Sequence, residues 1–262
     1  MPKYVSSATA SALWQWLMHV PPTPKSLAWF HTTDAFRLRD VVMSGAMSPR
    51  RCDVFDQDLI YAFYGRPAFR RIEDQQLRLT AKAPVVVVFP PNLTDLGCRM
   101  FPFDTGAFGQ RYQSWVHRGM ALQDFEIECS SLAAQRHVAA FFSTNEQYVR
   151  LLPSSPILPY VGAFEVESIV QLLADPSSAH ADDRRLAIEL QLADAVPFQS
   201  PWITALIIPS ELTHAPWLES FLSVNSAIEV LTYELAQLRT AGHYQALLEE
   251  RAVSLQSKMG WV

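Results

Sequence analysis

Residues 83–90 of the chain, APVVVVFP, include four consecutive valines and no polar side chain. β-Branched residues favour strands, and an apolar run of this length is too short for an ordinary helix. A strand that has no polar face must be covered on both sides, as the central strands of layered sheets are. The sequence therefore predicts a central buried strand with a packed layer on each side of its sheet.

Four further segments have the β-branched and aromatic composition of strands, and predicted helices lie between them. Together with the valine-rich segment, the expected strands are 26–31, 58–64, 84–89, 187–193 and 202–208. The expected helices are 7–18, a helix that begins at Thr33 or Asp34 and ends at Gly45, 130–149, and two or three helices within 215–257. Residues 97–120 are expected to form long loops with a short helix, and residues 160–175 a strand that leads into a helix. Because this order lacks the regular βαβ alternation of a doubly wound sheet, the sequence predicts an α+β fold.

Composition and charge exclude several classes of protein. The 262 residues are 49% hydrophobic, which suits one domain over 1–262, with its core at about 26–210 and helices at about 215–257. The net charge of −5 gives no global basic field for nucleic acid, although Arg66, Arg70 and Arg71 form a local basic cluster. Three cysteines without a C-x-x-C pair argue against a disulfide framework and a cysteine-built zinc site, and we expect no metal.

Common enzyme signatures are also absent from the sequence. It contains no G-x-G-x-x-G, P-loop, G-x-S-x-G or H-E-x-x-H motif, which argues against the common dehydrogenases, NTPases and serine hydrolases. No apolar run has the length of a membrane span or the form of a signal peptide. We therefore expect a cytoplasmic protein without a membrane partner.

One carboxylate in the predicted strand at 187–193 is a candidate for a chemical role. Ile188, Leu190 and Leu192 alternate with Glu189 and Gln191, so the apolar and polar side chains face opposite sides of the strand. Taken alone, Glu189 is most simply a residue on the exposed face of a sheet. A chemical role requires partners elsewhere in the chain.

Candidate partners occur in four segments of the chain, and the order of these segments is informative. The segments are WFHTTDAFRLRDVVMSGAM (29–47), LIYAFYGRPAFRR (59–71), RRLAIELQLADAVPF (184–198) and WITALIIP (202–209). This order resembles the ADP-ribosyltransferase fold, and most closely its DarT-like branch, which modifies DNA. The residues that carry the resemblance are His31-Thr32-Thr33, Gly45-Ala46-Met47, Phe63-Tyr64-Gly65-Arg66-Pro67, and Ala187-Ile188-Glu189 with Pro197 and residues 203–208.

The resemblance implies a split, mixed β-sheet with surrounding helices and a helical C-terminal extension. It implies that NAD is the substrate and binds between the first two matched strands. Glu189 would then be the catalytic carboxylate, accepting a hydrogen bond from the ribose 2′-hydroxyl as positive charge develops on the sugar. His31 would form the catalytic pair with Glu189. It would bind the other ribose and hold the dinucleotide bent, with Thr32 and Thr33 beside it.

Aromatic and basic residues complete the implied NAD site. The ring of Tyr61 or Tyr64 would stack on the departing nicotinamide, and at least one of the two is expected to be an ordinary core residue. Arg66, Arg51 or Arg50 would bind the pyrophosphate with paired donors. This sequence has Gly-Arg-Pro where the branch has Arg-Ser-Pro, and Arg50 and Arg51 both match the arginine expected between the first two strands.

The implied activity is mono-ADP-ribosyl transfer to a macromolecular acceptor, which could be DNA, RNA or protein. The branch further suggests a bacterial toxin or anti-phage effector with an antitoxin or immunity partner. Two alternatives remain open: a catalytically inactive ADP-ribosyltransferase-like binding module, and an NAD glycohydrolase that uses water as the acceptor. The stretch FPFDTGAFGQRY (101–112) suits a lid or acceptor pocket, and the polar loop 174–185 is expected to be mobile and to contact the acceptor.

Overall fold

The structure, a computed structural model, describes residues 11–68, 77, 79–154, 158–175, 183–236 and 239–262. The strands within these ranges are β1 (Trp29–Asp34), β2 (Ala46–Met47), β3 (Arg50–Cys52), β4 (Gln57–Tyr64), β5 (Pro84–Phe89), β6 (Arg99–Phe101), β7 (Glu189–Leu192), β8 (Val196–Pro197), β9 (Ala205–Pro209) and β10 (Glu229–Tyr233). The helices are α1 (Ala12–Leu17), α2 (Ala35–Ser44), α3 (Phe108–Arg111), α4 (Ser131–Phe142), α5 (Asn145–Val149), α6 (Phe164–Ala174), α7 (Pro216–Val224) and α8 (Ala241–Lys258).

One mixed sheet organises the fold. Its strands follow the order β10-β9-β5-β1-β4-β7-β6, and β3 pairs with β4 off this path. The pair β9–β10 is parallel, and the other neighbouring pairs are antiparallel. Strands β2 and β8 form a separate two-stranded sheet. Helices flank the large sheet, so the α+β class predicted from the sequence is confirmed.

The two middle strands of this sheet separate along part of their length. β1 and β4 pair at Trp29–Tyr64 and Phe30–Phe63. Beyond Phe30, β1 continues along β5 as far as Asp34, while β4 continues along β7. Each strand therefore keeps its outer neighbour and loses its inner one, and the sheet splits into two halves at one end.

The valine-rich strand β5 lies at the centre, as its composition predicts. All six of its residues are buried. Val85 and Val87 belong to the main core, whereas Val86 and Val88 face a second core that includes Leu248 of α8. The two faces of one strand thus contribute to two apolar layers, which fixes β5 and its neighbour β1 as the rigid part of the molecule.

Helix α2 connects the split to the small sheet. The Asp34 side chain accepts a hydrogen bond from the Arg37 backbone N–H, and this capping starts the helix. Gly45 ends it with a φ of 73°, which glycine adopts without the steric cost of a side chain. Both helix boundaries agree with those predicted from the sequence. Thr32 and Thr33 belong to β1 and lie beside the split.

The sequence-based prediction misses five strands and adds one. The short strands β2, β3 and β8 were not expected, and neither were β6 and β10. β10 lies within the region expected to be purely helical, and β6 lies within the region expected to be loops. β10 pairs with β9, and β6 pairs with β7, so each covers a strand that would otherwise form an edge of the sheet. Local composition does not indicate such pairing between distant segments. Conversely, residues 160–163 before α6 form no strand. Residues 7–10 of the first predicted helix lie outside the described residues.

Candidate active site

The split between β1 and β4 opens into a cleft made of two adjoining cavities. Their volumes are about 540 Å³ and about 500 Å³. Residues that line both cavities are His31, Thr32, Thr33, Arg37, Arg51 and Tyr61. The first, here called the Asp104 cavity, is also lined by Asp34, Cys52, Phe63, Ala68, Asp104, Gly106 and Arg184. The second, here called the Arg50 cavity, extends along α2 and includes Arg50, Leu59 and Ile60.

His31 bridges the two halves of the sheet where their backbone pairing has ended. Its Nδ1 lies 2.7 Å from the carbonyl oxygen of Tyr61. A carbonyl oxygen only accepts hydrogen bonds, so Nδ1 carries a proton and donates it. Burial lowers the pKa of His31, the bond to Tyr61 raises it, and Arg50 and Arg37 lower it further. The imidazole is therefore neutral, with Nε2 as a hydrogen-bond acceptor at the cleft.

Glu189 lies behind the wall of the Asp104 cavity and is 0% exposed. Oε1 accepts hydrogen bonds from Thr105 Oγ1 and Gln191 Nε2, both at 2.7 Å, and Oε2 accepts one from the Thr105 backbone N–H at 3.1 Å. Burial raises the pKa of Glu189, the charge of Asp104 raises it further, and the hydrogen bonds from Gln191 and Thr105 partly oppose this rise. The polar face of β7 is thus enclosed by protein, and the expectation of an exposed face is wrong.

The Glu189 carboxylate belongs to a buried chain of polar groups. Gln191 accepts a hydrogen bond from Arg99 Nε at 2.8 Å, and Arg99 Nη2 donates to Gln57 Oε1 at 2.9 Å. The Arg99 guanidinium also lies over the Phe55 ring, 4.5 Å from its centroid. Because the polar groups of this hydrogen-bonded network are paired with one another, the network fixes the orientation of Glu189 from the side away from the cleft.

A short turn links Glu189 to the cleft. Thr105 binds Glu189, and its neighbours Asp104 and Gly106 line the Asp104 cavity. Asp104 Oδ1 accepts a hydrogen bond from the Gly106 backbone N–H at 3.1 Å, and Oδ2 lies 3.1 Å from Arg184 Nη2. This stretch was expected from the sequence to form a lid or acceptor pocket, but Asp104 was not among the predicted site residues. The sequence Asp-Thr-Gly is itself typical of a turn in which the aspartate side chain caps the backbone.

Two of the arginines that the resemblance assigned to NAD line the cleft, and the third does not. Arg51 lines both cavities and forms an ion pair with Asp56, and Arg50 lines the cavity named after it. Arg66 is only 3% exposed, and its Nη2 lies 2.9 Å from Glu249 Oε1 on α8. Because Arg66 lines neither cavity, its position argues against the expected contact with pyrophosphate. Arg37, which was not among the predicted site residues, also lines both cavities.

The two candidate tyrosines lie on opposite sides of β4. Tyr61 lines both cavities, and its hydroxyl donates to Cys52 Sγ at 2.6 Å. Burial and the charge of Glu189 raise the pKa of Tyr61. Tyr64 is fully buried, its hydroxyl accepts a hydrogen bond from the Leu27 backbone N–H at 2.8 Å, and its ring packs against Trp29. Tyr64 is therefore a core residue, and the ring available to a ligand is that of Tyr61.

The remaining candidates are the threonines of β1 and the loop before β7. Thr32 and Thr33 line both cavities, and within the described part of the chain Thr32 Oγ1 is enclosed without a hydrogen-bond partner. Residues 176–182 of the loop lie outside the described residues. Arg185 is buried, with Nη2 donating to the Asp175 carbonyl at 2.6 Å, so the arginine that this loop brings to the cleft is Arg184.

A metal site and a membrane-spanning helix are both absent from the described residues. They include no group of three or more His, Cys, Asp or Glu side chains placed to hold a metal ion. None of the helices described combines the length and the apolar character needed to cross a membrane.

Comparisons with known proteins gave matches among solved structures only. No family model and no curated protein matches the chain. Thermus sp. 2.9 DarT in complex with carba-NAD+ is similar with a TM-score of 0.37 and 9% identity, over 80% of this chain and 97% of that chain. Thermus sp. 2.9 DarT in complex with ADP-ribosylated ssDNA is similar with a TM-score of 0.40 and 9% identity, over 82% of this chain and 98% of that chain.

Proposed function

We propose that the protein is an NAD-dependent mono-ADP-ribosyltransferase. The observation that carries this proposal is the split between β1 and β4, which places His31 in the cleft and Glu189 directly behind its wall. A histidine acceptor on one half of a split sheet and a carboxylate on the other provide one group for each part of a bent dinucleotide. The motif order that resembles the DarT-like branch supports the same assignment.

The lining of the cleft suits the chemical groups of NAD. Arg37, Arg50 and Arg51 supply the positive charge that a pyrophosphate needs, and guanidinium groups bind phosphate oxygens with paired donors. The neutral His31 offers Nε2 as an acceptor for a ribose hydroxyl. The ring of Tyr61 offers a face on which nicotinamide stacks.

Glu189 has the chemistry that ADP-ribosyl transfer requires. When the bond between ribose C1′ and nicotinamide breaks, positive charge develops on the sugar, and a nearby carboxylate stabilises that charge more than it stabilises the ground state. Oε2 accepts one hydrogen bond, from Thr105, and a carboxylate oxygen accepts two, so it retains capacity for a ribose hydroxyl. A small movement of the turn at Thr105 is needed to bring that hydroxyl to it.

The complete burial of Glu189 is the observation that favours the alternative, a catalytically inactive module that binds NAD or a related nucleotide. Incubation of the protein with NAD labelled on its adenosine half decides between the two. The incubations contain single-stranded DNA, RNA or lysate proteins, because the arginines of the cleft suit a phosphate polymer without selecting one. Label on a polymer supports transfer, free nicotinamide without labelled polymer indicates a glycohydrolase, and NAD binding without turnover indicates the inactive module.

A single variant tests the catalytic role of Glu189. Glu189→Gln preserves shape and removes the charge, so we expect it to fold, to bind NAD and to lose transfer by at least on the order of 100-fold. Glu165→Gln and Glu167→Gln, both in the first turn of α6, are the matched controls and should keep normal rates. Turnover by Glu189→Gln close to that of the unaltered protein would remove Glu189 from the mechanism.

The resemblance also supports a biological role as a bacterial toxin or anti-phage effector that an antitoxin or immunity partner restrains. Expression of the unaltered chain in a bacterial host should arrest growth, whereas expression of Glu189→Gln should not. Equal growth of both strains at equal protein levels would argue against the toxin role and leave the enzymatic proposal to the NAD assay.

A further inference from the structure

We propose that Asp104 is a second catalytic carboxylate, which takes the proton of the acceptor group as that group bonds to ribose C1′. This inference rests on the proposed function, because it assigns a further residue to the same reaction. Asp104 carries it because the residue combines a position in the cavity wall, a fixed orientation and a direct structural link to Glu189.

The position of Asp104 separates it from the other acidic residues of the cleft. Asp34 also lines the Asp104 cavity, but its side chain caps α2 and pairs with Arg37. Asp40 lines the Arg50 cavity from α2, and its side chain is 49% exposed. The Asp104 side chain is 8% exposed and lies on the side of the cleft that faces Glu189. A carboxylate shielded from bulk water at this point can meet a reacting group without competition from solvent.

The orientation of Asp104 is set by three contacts. Its Oδ1 accepts from the Gly106 N–H, its Oδ2 pairs with Arg184, and its own backbone N–H donates to the Arg184 carbonyl at 3.1 Å. The carboxylate is therefore held in place before any ligand binds, which is the condition for efficient proton transfer. Arg184 lines the same cavity and can orient an incoming acceptor beside the carboxylate.

Thr105, the residue that follows Asp104, connects Asp104 to Glu189. Thr105 donates to Glu189 from both its backbone and its hydroxyl, so the turn that positions Asp104 also holds Glu189. The charge of Asp104 contributes to the raised pKa of Glu189, which places the two carboxyl groups within electrostatic reach of each other. Two carboxyl groups in different surroundings can divide the work of a glycosyl transfer between them.

In the transfer step, one bond to ribose C1′ breaks and another forms. The bond from C1′ to the nicotinamide nitrogen breaks, and its electron pair leaves with nicotinamide. A lone pair on the acceptor's oxygen or nitrogen forms the new bond to C1′, and the proton on that atom moves to the Asp104 carboxylate. Glu189 stabilises the charge on the sugar during the exchange, and the proton later leaves Asp104 through the open cavity.

Chemical rescue tests this role. In Asp104→Asn the amide oxygen keeps the hydrogen bond from Gly106, but the proton acceptor is lost, so transfer should fall on the order of 100-fold or more while NAD binding persists. Azide is a nucleophile with no proton to lose. We expect added azide to restore nicotinamide release by Asp104→Asn and to yield ADP-ribosyl azide, which mass spectrometry identifies.

Three further variants make the result specific. Asp104→Ser retains a capping oxygen for Gly106 and should respond to azide in the same way, which guards against a folding defect in Asp104→Asn. Arg184→Gln removes the ion pair and keeps the base, so its smaller loss should not be rescued by azide. Asp95→Asn, an exposed carboxylate outside the cleft lining, should behave as the unaltered protein.

The outcomes separate the two proposals. If both Asp104 variants transfer normally, or lose activity that azide does not restore, Asp104 is not the proton acceptor. The proposed function stands in that case, provided that the unaltered protein transfers label and Glu189→Gln does not. If the unaltered protein neither binds nor consumes NAD, both proposals are overturned together.

Discussion

Glu189 is a carboxyl group enclosed by protein, and its ionisation state depends on that enclosure. Removal from water disfavours the charged form, and Asp104 adds a like charge nearby, so the pKa of Glu189 lies above its ordinary value of 4.5. The donors Thr105 and Gln191 oppose this shift without cancelling it. The group is therefore a weaker acid in the folded chain than in the unfolded one.

The first consequence is a pH dependence of stability. Because the folded pKa exceeds the unfolded one, the folded state binds the proton more tightly, and this contribution to stability is fully present below pH 4.5. It is lost as the pH rises through the folded pKa. Urea denaturation from acidic to alkaline pH should show this decline in the unaltered chain and its absence in Glu189→Gln. Parallel pH profiles for the two proteins would contradict the raised pKa.

The second consequence concerns NAD binding. The nicotinamide ring carries a positive charge, so its arrival near Glu189 favours the ionised carboxylate and lowers the pKa of that group. Binding should therefore release a proton, and the affinity for NAD should increase with pH until Glu189 is ionised in the free protein. Calorimetry in two buffers of different ionisation enthalpy measures the release. Glu189→Gln should bind NAD without this proton, and an equal release from both proteins would place the titrating group elsewhere.

Strand β4 ends in a turn whose geometry only glycine satisfies. Gly65 has a φ of 64°, and its backbone N–H donates to the Ala28 carbonyl at 2.8 Å, which ties the end of β4 to the start of β1. A Cβ at this position would lie 2.6 Å from Leu27 Cδ1 and 3.1 Å from Tyr148 Cε1. The point where the two halves of the sheet are still joined is therefore closely packed.

Gly45 provides a matched comparison for Gly65. It has a similar φ of 73°, but a Cβ there would meet nothing within 4 Å. Gly45→Ala should cost about 1 kcal/mol of unfolding free energy, from backbone strain alone. Gly65→Ala should cost about 2 to 4 kcal/mol, because overpacking adds to the strain. Urea denaturation measures both, and equal losses would show that the contacts of Gly65 relax freely.

Elements that form through local interactions could be predicted from the sequence, whereas elements that depend on distant parts of the chain could not. The valines of β5 and the caps of α2 are local signals, and both were predicted correctly. β10 pairs with β9, and its five residues, Glu229–Tyr233, are too few for composition alone to separate them from the helical segments on either side. The placement of Tyr61 in the cleft and Tyr64 in the core depends on which face of β4 meets the core, which composition does not reveal.

Helix α8 explains why the arginine assignment required the folded molecule. Gln256 of this helix donates to the Gly65 carbonyl, and Gln245 donates to the Pro67 carbonyl, each at 3.0 Å. Between these contacts Glu249 pairs with Arg66, a partner 183 residues away in sequence. Helix α8 thus binds the segment that follows β4. Its Glu249 pairs with Arg66, the arginine that the motif alone would assign to NAD.

Arg66 is expected to stabilise the fold and Arg51 to bind NAD, and variants of the two residues test this division. Arg66→Met removes a buried charge whose partner, Glu249, is 32% exposed and can be hydrated, so we expect a loss of stability of about 1 to 3 kcal/mol and unchanged NAD affinity. Arg51→Gln breaks only an exposed pair, so its stability should change by less than about 0.5 kcal/mol. Its affinity for NAD should fall on the order of 10-fold, because a charge-assisted contact to pyrophosphate is lost. Denaturation and calorimetry on both variants measure the four quantities, and weaker NAD binding by Arg66→Met with normal stability would return Arg66 to the binding site.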